Sequence, residues 1–324
     1  NTLPNQGLTS FGISVPLGQG LLINQRMADV RKAKMQVQLS QAERKLEAIA
    51  VLYDASVAYF NWKRNYDEVQ LYKVYQKNAQ IRFKGIESLI QQGDKPAIDS
   101  VEAGIIVKNR TLIPLELSDA LIPESKLATT IQETLRTNDL QNQDFSITNH
   151  PKINALERKI DMLNVDRKLK ANALLPKIDL SYSYLSEPSY IDNYQFNDYK
   201  IGVNFAFPLF LRKERGGLKL AQFKVQETQY ALSLERVQLT NKITAQKTEI
   251  TSLTKQRSLI EGLVKNNKTM LQSEERLFSF GESSLFLINT RENNLVSAQL
   301  ASIALENRFL ISNSELFKIM ANPD

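Results

Sequence analysis

The sequence predicts a mostly α-helical fold with a small β part: long antiparallel coiled-coil helical hairpins, plus strands that several chains contribute to one shared transmembrane β-barrel. Three observations predict it. The chain repeats itself, with Arg26 to Gly93 falling on Glu214 to Gly281 at an offset of 188 residues and without insertion. Each copy holds a helical pattern far longer than a globular helix. The strands alternate between apolar or aromatic and small polar residues, as a wall between lipid and water would.

Bulk properties narrow the classes. The chain has 324 residues, 42% of them apolar, and a net charge of +6. It has no cysteine, which excludes disulfides, thiolate metal sites and cysteine nucleophiles. Acidic and basic residues are interspersed, as in Glu43-Arg44-Lys45-Leu46-Glu47 and Arg212-Lys213-Glu214-Arg215. A nucleic-acid groove needs its cations gathered on one face, so no nucleic-acid partner is expected. No run of eighteen apolar residues occurs, hence no transmembrane helix is expected. A transmembrane strand needs only about 9–11 alternating residues. The chain begins at Asn1 without methionine, as a processed form or a fragment would.

The first copy opens with a strand over Leu8 to Leu17, in which Phe11, Ile13 and Val15 alternate with Gly12 and Ser14. Asn24 to Gln92 then contains no proline, and Gly85 is its one weak point; as one helix it would span roughly 100 Å. Met35, Leu39, Ala42, Leu46, Ile49, Tyr53, Ser56 and Phe60 alternate in steps of four and three, the spacing of a coiled-coil seam. In the second copy Leu239 is followed by Ile243, Gln246, Ile250, Leu253, Arg257, Ile260 and Val264, with Gln246 and Arg257 as polar interruptions. Any long helical bundle would show the same seam. Gly93-Asp94-Lys95-Pro96 and Gly281-Glu282-Ser283-Ser284 are the hairpin turns: glycine permits a left-handed cap, proline starts the next helix, and Glu282 or Ser283 can cap it.

The returning helix of the second copy can run to about Ile319. Its first-copy counterpart stops near Arg110, with Pro114 and Pro123 following. Unequal arms leave apolar surface uncovered, so either a further short helix fills the gap or residues are missing between Arg110 and Thr111, and the second is favoured. The N-terminal side is short in the same sense, with one strand where the second copy has two. Ser125 to Leu135 and Pro151 to Leu175 read as two more helices joined by a polar stretch. His150, the only histidine, precedes a proline and reads as a surface or capping residue.

Two strands follow. Ile178, Leu180, Tyr182 and Tyr184 alternate with Asp179, Ser181 and Ser183; Tyr199, Ile201, Val203, Phe205 and Phe207 alternate with Lys200, Gly202, Asn204 and Ala206. The polar and aromatic stretch Glu187 to Asp198 would be their loop. A soluble sheet over a core would alternate likewise, but here the strands adjoin long hairpins with nothing globular to cover. Lipid tolerates no open sheet edge, and one copy has too few strands to close a barrel, so a ring-like oligomer follows. The chain divides into a first-copy barrel strand (1–17), first-copy helical hairpin (18–110), equatorial and linking helices (111–175), second-copy barrel hairpin (176–209) and second-copy helical hairpin (210–324).

Four stretches carry a family resemblance: Phe207-Pro208-Leu209-Phe210-Leu211-Arg212-Lys213-Glu214-Arg215-Gly216, Gly93-Asp94-Lys95-Pro96-Ala97-Ile98-Asp99-Ser100-Val101-Glu102-Ala103, Asn149-His150-Pro151-Lys152 and Leu175-Pro176-Lys177-Ile178-Asp179-Leu180. In this order and spacing they resemble the TolC-like outer membrane efflux proteins, most of all those of Bacteroidota. The resemblance implies a homotrimer in the outer membrane of a Gram-negative cell. Each subunit would give four strands to one barrel and two helical hairpins to a periplasmic tunnel. The partners implied are outer-membrane lipid, a periplasmic adaptor (membrane fusion) protein and, through it, an inner-membrane pump. Substrates delivered by that tripartite efflux or type I secretion system would leave passively. Carried over by position, Gly93, Asp94, Lys95, Pro96, Gly281, Glu282, Ser283 and Ser284 are the adaptor contact or gate. Phe11, Ile13, Val15, Tyr182, Tyr184, Tyr199, Phe205 and Phe207 are the barrel wall. Asp94 and Glu282 have two readings, as helix caps or as carboxylates around the lumen that repel one another and favour cations.

Two rivals differ in class. A non-channel periplasmic coiled-coil scaffold or adaptor would have no use for paired lipid-type strands and would be soluble without detergent. An enzyme would need more than the carboxylates Asp94, Asp99 and Glu102, since no phosphate-binding glycine loop and no nucleophile with a base accompany them. No catalytic residue, cofactor or metal is expected.

Overall fold

The computed structural model describes residues 9–111, 122–135, 147–186, 198–207 and 209–321. Leu8, Pro114, the polar stretch after Leu135 up to residue 146, most of the expected strand loop (187–197) and Pro208 lie outside the described residues. The elements in order are β1 (Thr9–Pro16), α1 (Gln25–Gln91), α2 (Ile98–Thr111), α3 (Ser125–Thr134), a 3-10 turn (Ile147–Asn149), α4 (Pro151–Asn172), β2 (Lys177–Ser186), β3 (Tyr199–Ala206), α5 (Arg212–Ser279) and α6 (Leu285–Met320).

The two long helices run unbroken for 67 and 68 residues. α1 starts where Asn24 Oδ1 accepts from the Met27 amide at 2.9 Å, a side-chain cap. Gly85 does not interrupt it. α4 begins at His150, whose Nδ1 accepts from the Lys152 amide at 3.1 Å. That histidine is buried, so of the two expected roles it takes the capping one and is no surface residue. α6 is capped by Ser284, whose Oγ accepts from the Leu287 amide at 3.3 Å, rather than by Glu282 or Ser283. The chain clusters into two compact units, 1–46 with 146–238 and 47–145 with 239–324.

In the first unit β1, β2 and β3 form an antiparallel sheet in that order. Ile23, Ala28 and Val165 make a small core, with Met35 and Leu169 packed against it. Asn172 Nδ2 donates to the Ile23 carbonyl at 2.8 Å, and Lys32 pairs with Asp166 at 3.0 Å. The paired carboxylate raises the Lys32 pKa against the opposing effect of burial. Further along α4, Lys152 meets Glu235 of α5 at 2.6 Å.

Among the described residues the second unit holds three small apolar clusters. They centre on Tyr75 with Leu271, Ile288 and Leu295; on Phe60 with Ala128 and Leu310; and on Ile86 with Ala103 and Leu285. The polar seam members find partners. Gln246 Nε2 donates to the Ser312 carbonyl at 3.0 Å and to its Oγ at 2.6 Å. Arg257 lies 4.3 Å over the Phe309 ring and pairs with Glu306 at 2.6 Å. Both residues therefore occupy seam positions without leaving a buried polar group unmatched.

Burial on both long helices follows the seam. Every seam residue expected from Met35 to Phe60 and from Leu239 to Val264 is buried or half-buried. On α5 the stripe runs from Ala221 to Phe278, with two successive four-residue steps at Leu239 and Ile243. Such a stutter locally unwinds a supercoil. A second stripe stays uncovered: Val30, Val37 and Val51 on α1, and Phe223, Tyr230, Leu234 and Val237 on α5, are all more than half exposed. Each stands two residues from a seam position, about 160° round the helix.

Candidate functional site

Three places combine unusual chemistry with defined geometry: the sheet, the two hairpin turns and a buried charge cluster.

The ladder sorts the strands into two faces. Phe11 stands opposite Tyr184 and Tyr184 opposite Tyr199; Ile13, Tyr182 and Ile201 form the next row, then Val15, Leu180 and Val203. Phe205 pairs with Ile178. Between these rows come Gly12, Ser183 and Lys200; Ser14, Ser181 and Gly202; and Pro16, Asp179 and Asn204. One face is thus apolar and aromatic throughout, and the other is small and polar. Among the described residues nothing covers the apolar face: Ile13 is 71% and Phe205 69% exposed. The Tyr182 and Tyr199 rings stack on it at 5.9 Å. Phe207 lies just past β3, also exposed. Ile201 and Val203 share this face although they were not among the eight wall residues.

The two hairpin turns are built alike. Gly93 donates to the Ile90 carbonyl at 3.0 Å and Asp94 to Leu89 at 2.9 Å; Gly281 donates to Phe278 at 3.0 Å and Glu282 to Leu277 at 2.9 Å. Both glycines are left-handed, with φ of 80° and 78°. This is the Schellman geometry, which satisfies the last carbonyls of each helix, and the 188-residue repeat is reproduced bond for bond. Asp94 and Glu282 are therefore the third residues past a helix end, not N-caps. They are exposed and make no ion pair or side-chain hydrogen bond among the described residues. Lys95 Nζ sits 4.7 Å over the Phe278 ring, and the Pro96 carbonyl accepts from Asp99 at 3.1 Å. Ser283 donates to the Glu274 carboxylate. Around these turns Ile98, Phe280 and Phe286 are strongly exposed apolar residues.

The third place was not anticipated. Glu292 on α6 is 1% exposed. Arg82 of α1 reaches it with two nitrogens, at 3.0 and 3.2 Å, and Arg110 of α2 with one, at 2.7 Å. Arg82 also donates to Asn289 Oδ1 at 3.1 Å and Arg110 to the Tyr75 carbonyl at 2.8 Å. The Tyr75 hydroxyl donates to Gln299 Oε1. Burial, then the nearby Glu292 charge, pushes the Tyr75 phenol up to about 12, with Arg110 opposing. A signal existed: Arg82 and Glu292 keep the four-and-three phase of Tyr75, Ala79, Ile86 and of Leu285, Ile288, Leu295. A charge at a seam position points to an opposite charge facing it. The cluster ties α1, α2 and α6 together. No group of acidic residues and histidine suited to a metal ion occurs among the described residues, and no helix there is long and apolar enough to cross a membrane.

A family model described as Outer membrane efflux protein matches residues 145–322, more than half of the chain. No curated protein matches the chain. Solved structures share the whole fold. A membrane protein from Pseudomonas aeruginosa superposes with a TM-score of 0.71 at 15% identity, over 97% of this chain and 83% of that one. The CmeC outer membrane channel of Campylobacter jejuni gives 0.68 at 13% identity, over 98% and 77%. The open state of the MtrE outer membrane channel of Neisseria gonorrhoeae gives 0.66 at 14% identity, over 98% and 81%.

Proposed function

The chain belongs to the outer membrane efflux protein family, and from that premise we propose that three copies assemble into one channel whose sheet faces lipid and whose hairpin turns form the periplasmic mouth. The protein is the outer-membrane channel component of a TolC-like efflux or secretion system, a transport protein and not an enzyme. The observation that carries the assembly is the uncovered apolar sheet face, in register across all three strands with a small polar face behind it. Water on both sides would oppose such a surface, whereas lipid outside and an aqueous lumen inside match it.

On this reading residues 1–17 and 176–209 supply barrel strands, 18–110 and 210–324 the two helical hairpins, and 111–175 the equatorial and linking helices. The barrel wall is Phe11, Ile13, Val15, Tyr182, Tyr184, Tyr199, Phe205 and Phe207, to which Ile201 and Val203 are added. The uncovered stripes on α1 and α5 support the homotrimer, because a neighbouring copy would give them the second seam that the chain itself does not supply. Systems of this structural type join a channel to an adaptor and a pump. The exposed Phe280 and Phe286 beside Gly281 to Ser284, and Ile98 beside Gly93 to Pro96, are the surface on which a periplasmic adaptor docks, linking the channel to an inner-membrane pump. Asp94 and Glu282, exposed and without an ion pair among the described residues, line the mouth and favour cations. The resemblance of the sequence motifs to Bacteroidota members of the family supports a relationship to that group, with the barrel in the outer membrane and the helices in the periplasm.

The test is the current across a planar bilayer after reconstitution from detergent. Discrete conductance steps are expected, and Asp94→Asn with Glu282→Gln should alter their amplitude and reduce cation selectivity. A chain that stays soluble without detergent and carries no current would overturn the assembly. Steps indifferent to both substitutions would leave the barrel standing and remove the carboxylates from the mouth.

A further inference from the structure

The chain's positive charge is concentrated where its strands give way to helices. Segments 22–34, 166–177 and 209–219 together hold twelve Lys or Arg and three Asp or Glu, a net +9, so the rest of a chain of net +6 is net −3. The fold gathers the three segments. Ile23 and Ala28 pack on Val165, Lys32 pairs with Asp166, and Gly217 of α5 lies within 3.7 Å of the Lys170 side chain, measured from an added Cβ. Lys32 is taken up by its carboxylates. Arg31 and Lys168 make no ion pair among the described residues and are exposed.

These two cations flank an open cavity of about 350 Å³ whose other walls are Leu22, Ile23, Ala171, Asn172 and Leu175. The Asn172 amide is already committed to the Ile23 carbonyl, so it closes the floor. Leu22 is 76% exposed, and Leu17, Leu21, Leu209 and Phe210 extend the apolar surface beyond the strand ends. Apolar residues therefore give way directly to cations, with Arg212 over the Phe210 ring at 5.9 Å. That is the sequence of environments an acyl chain and then a headgroup phosphate meet at a leaflet boundary.

We propose that this junction binds an anionic phospholipid of the periplasm-facing leaflet, with Arg31 and Lys168 on the phosphate and Leu22 and Leu175 on the first methylenes of its chains. The site rests on the reading that the sheet faces lipid. Arginine offers a two-nitrogen fork to phosphate oxygens and lysine a point charge, while the leucines favour a lipid over a free phosphate ester. Four further cations lie within the same segments of α1 and α4 (Arg26, Lys34, Arg167 and Lys170), so the junction is positively charged and selects against neutral lipids.

The experiment is native mass spectrometry of the full-length oligomer released from detergent, titrated with phosphatidylglycerol or phosphatidylcholine of the same chains. Phosphatidylglycerol should be retained about tenfold more tightly, the preference should shrink with ionic strength, and glycerol phosphate in excess should not displace it. Arg31→Gln with Lys168→Gln should abolish the preference, Arg31→Lys should keep most of it, and Lys255→Gln with Lys265→Gln, an equal loss of two charges outside these three segments, should leave it intact. Equal retention of the two lipids, displacement by glycerol phosphate, or an unchanged preference in the double variant would overturn the site; a second copy covering the cavity would appear as retention of neither. Conductance of the wild-type sample separates the two readings. Steps without lipid preference remove the site and keep the channel, and solubility without detergent removes both.

Discussion

A carboxylate almost entirely withdrawn from water, as Glu292 is, is stable only where opposite charge and hydrogen bonds replace its hydration. Arg82 and Arg110 do this from two different helices. Glu292→Gln would leave two guanidinium groups facing a neutral amide. The expected loss is about 3–5 kcal/mol, the cost of breaking a buried pair from one side, read as the denaturant midpoint of the detergent-solubilised protein. Replacing all three together by Leu, Met and Leu should recover most of it, because no buried charge is then left alone. A single variant within about 0.5 kcal/mol of wild type would mean that water reaches the cluster. The three-residue set was only partly legible: the heptad phase marks Arg82 and Glu292 as inward-facing, but Arg110 lies on a short helix whose packing no periodicity reveals.

At the scale of elements, the hairpin turns are the clearest meeting of sequence and geometry. Gly93 and Gly281 hold left-handed φ values with open space where a Cβ would go, so their requirement is of the backbone alone. Gly281→Ala should cost about 1 kcal/mol. Gly85 is helical with equally open surroundings, and Gly85→Ala should stabilise by about 1 kcal/mol. Opposite signs from the same chemical change, measured as shifts in denaturation midpoint, are the check; a gain at Gly281 would show that its turn relaxes. The turn and its two-copy repetition are visible in the sequence because glycine is the one residue suited to that φ. The cap of α6 was assigned to Glu282 or Ser283 and falls on Ser284, since the Schellman turn consumes two residues past Phe280 before the next helix can start.

For the whole molecule, the second apolar stripe matters most. Val37 and Leu234 are more than half exposed, each on the side of its helix away from the seam. Val37→Asp with Leu234→Asp touches no member of the described apolar clusters, so helicity should be retained. The proposed trimer should dissociate, as light scattering in detergent would record. Loss of helicity with dissociation would show instead that these residues support the fold of the single chain. The same stripes agree with the small clusters found among the described residues: a helix that packs on two sides cannot bury more than a narrow band on either.

The sequence alone determined the period of the helices, the alternation of the strands, the position of both turns and the repeat that relates them, because each is set by local geometry: 3.6 residues per helical turn, two per strand, and a left-handed φ only glycine adopts easily. Tertiary structure decided what distance along the chain conceals. Glu292 meets arginines 210 and 182 residues away, Gln246 meets Ser312, and cations that look interspersed along the chain converge where α1, α4 and α5 come together. Charge sums linearly along a sequence, but fields and ion pairs depend on separation in space, and only the packing of one segment against another sets that separation.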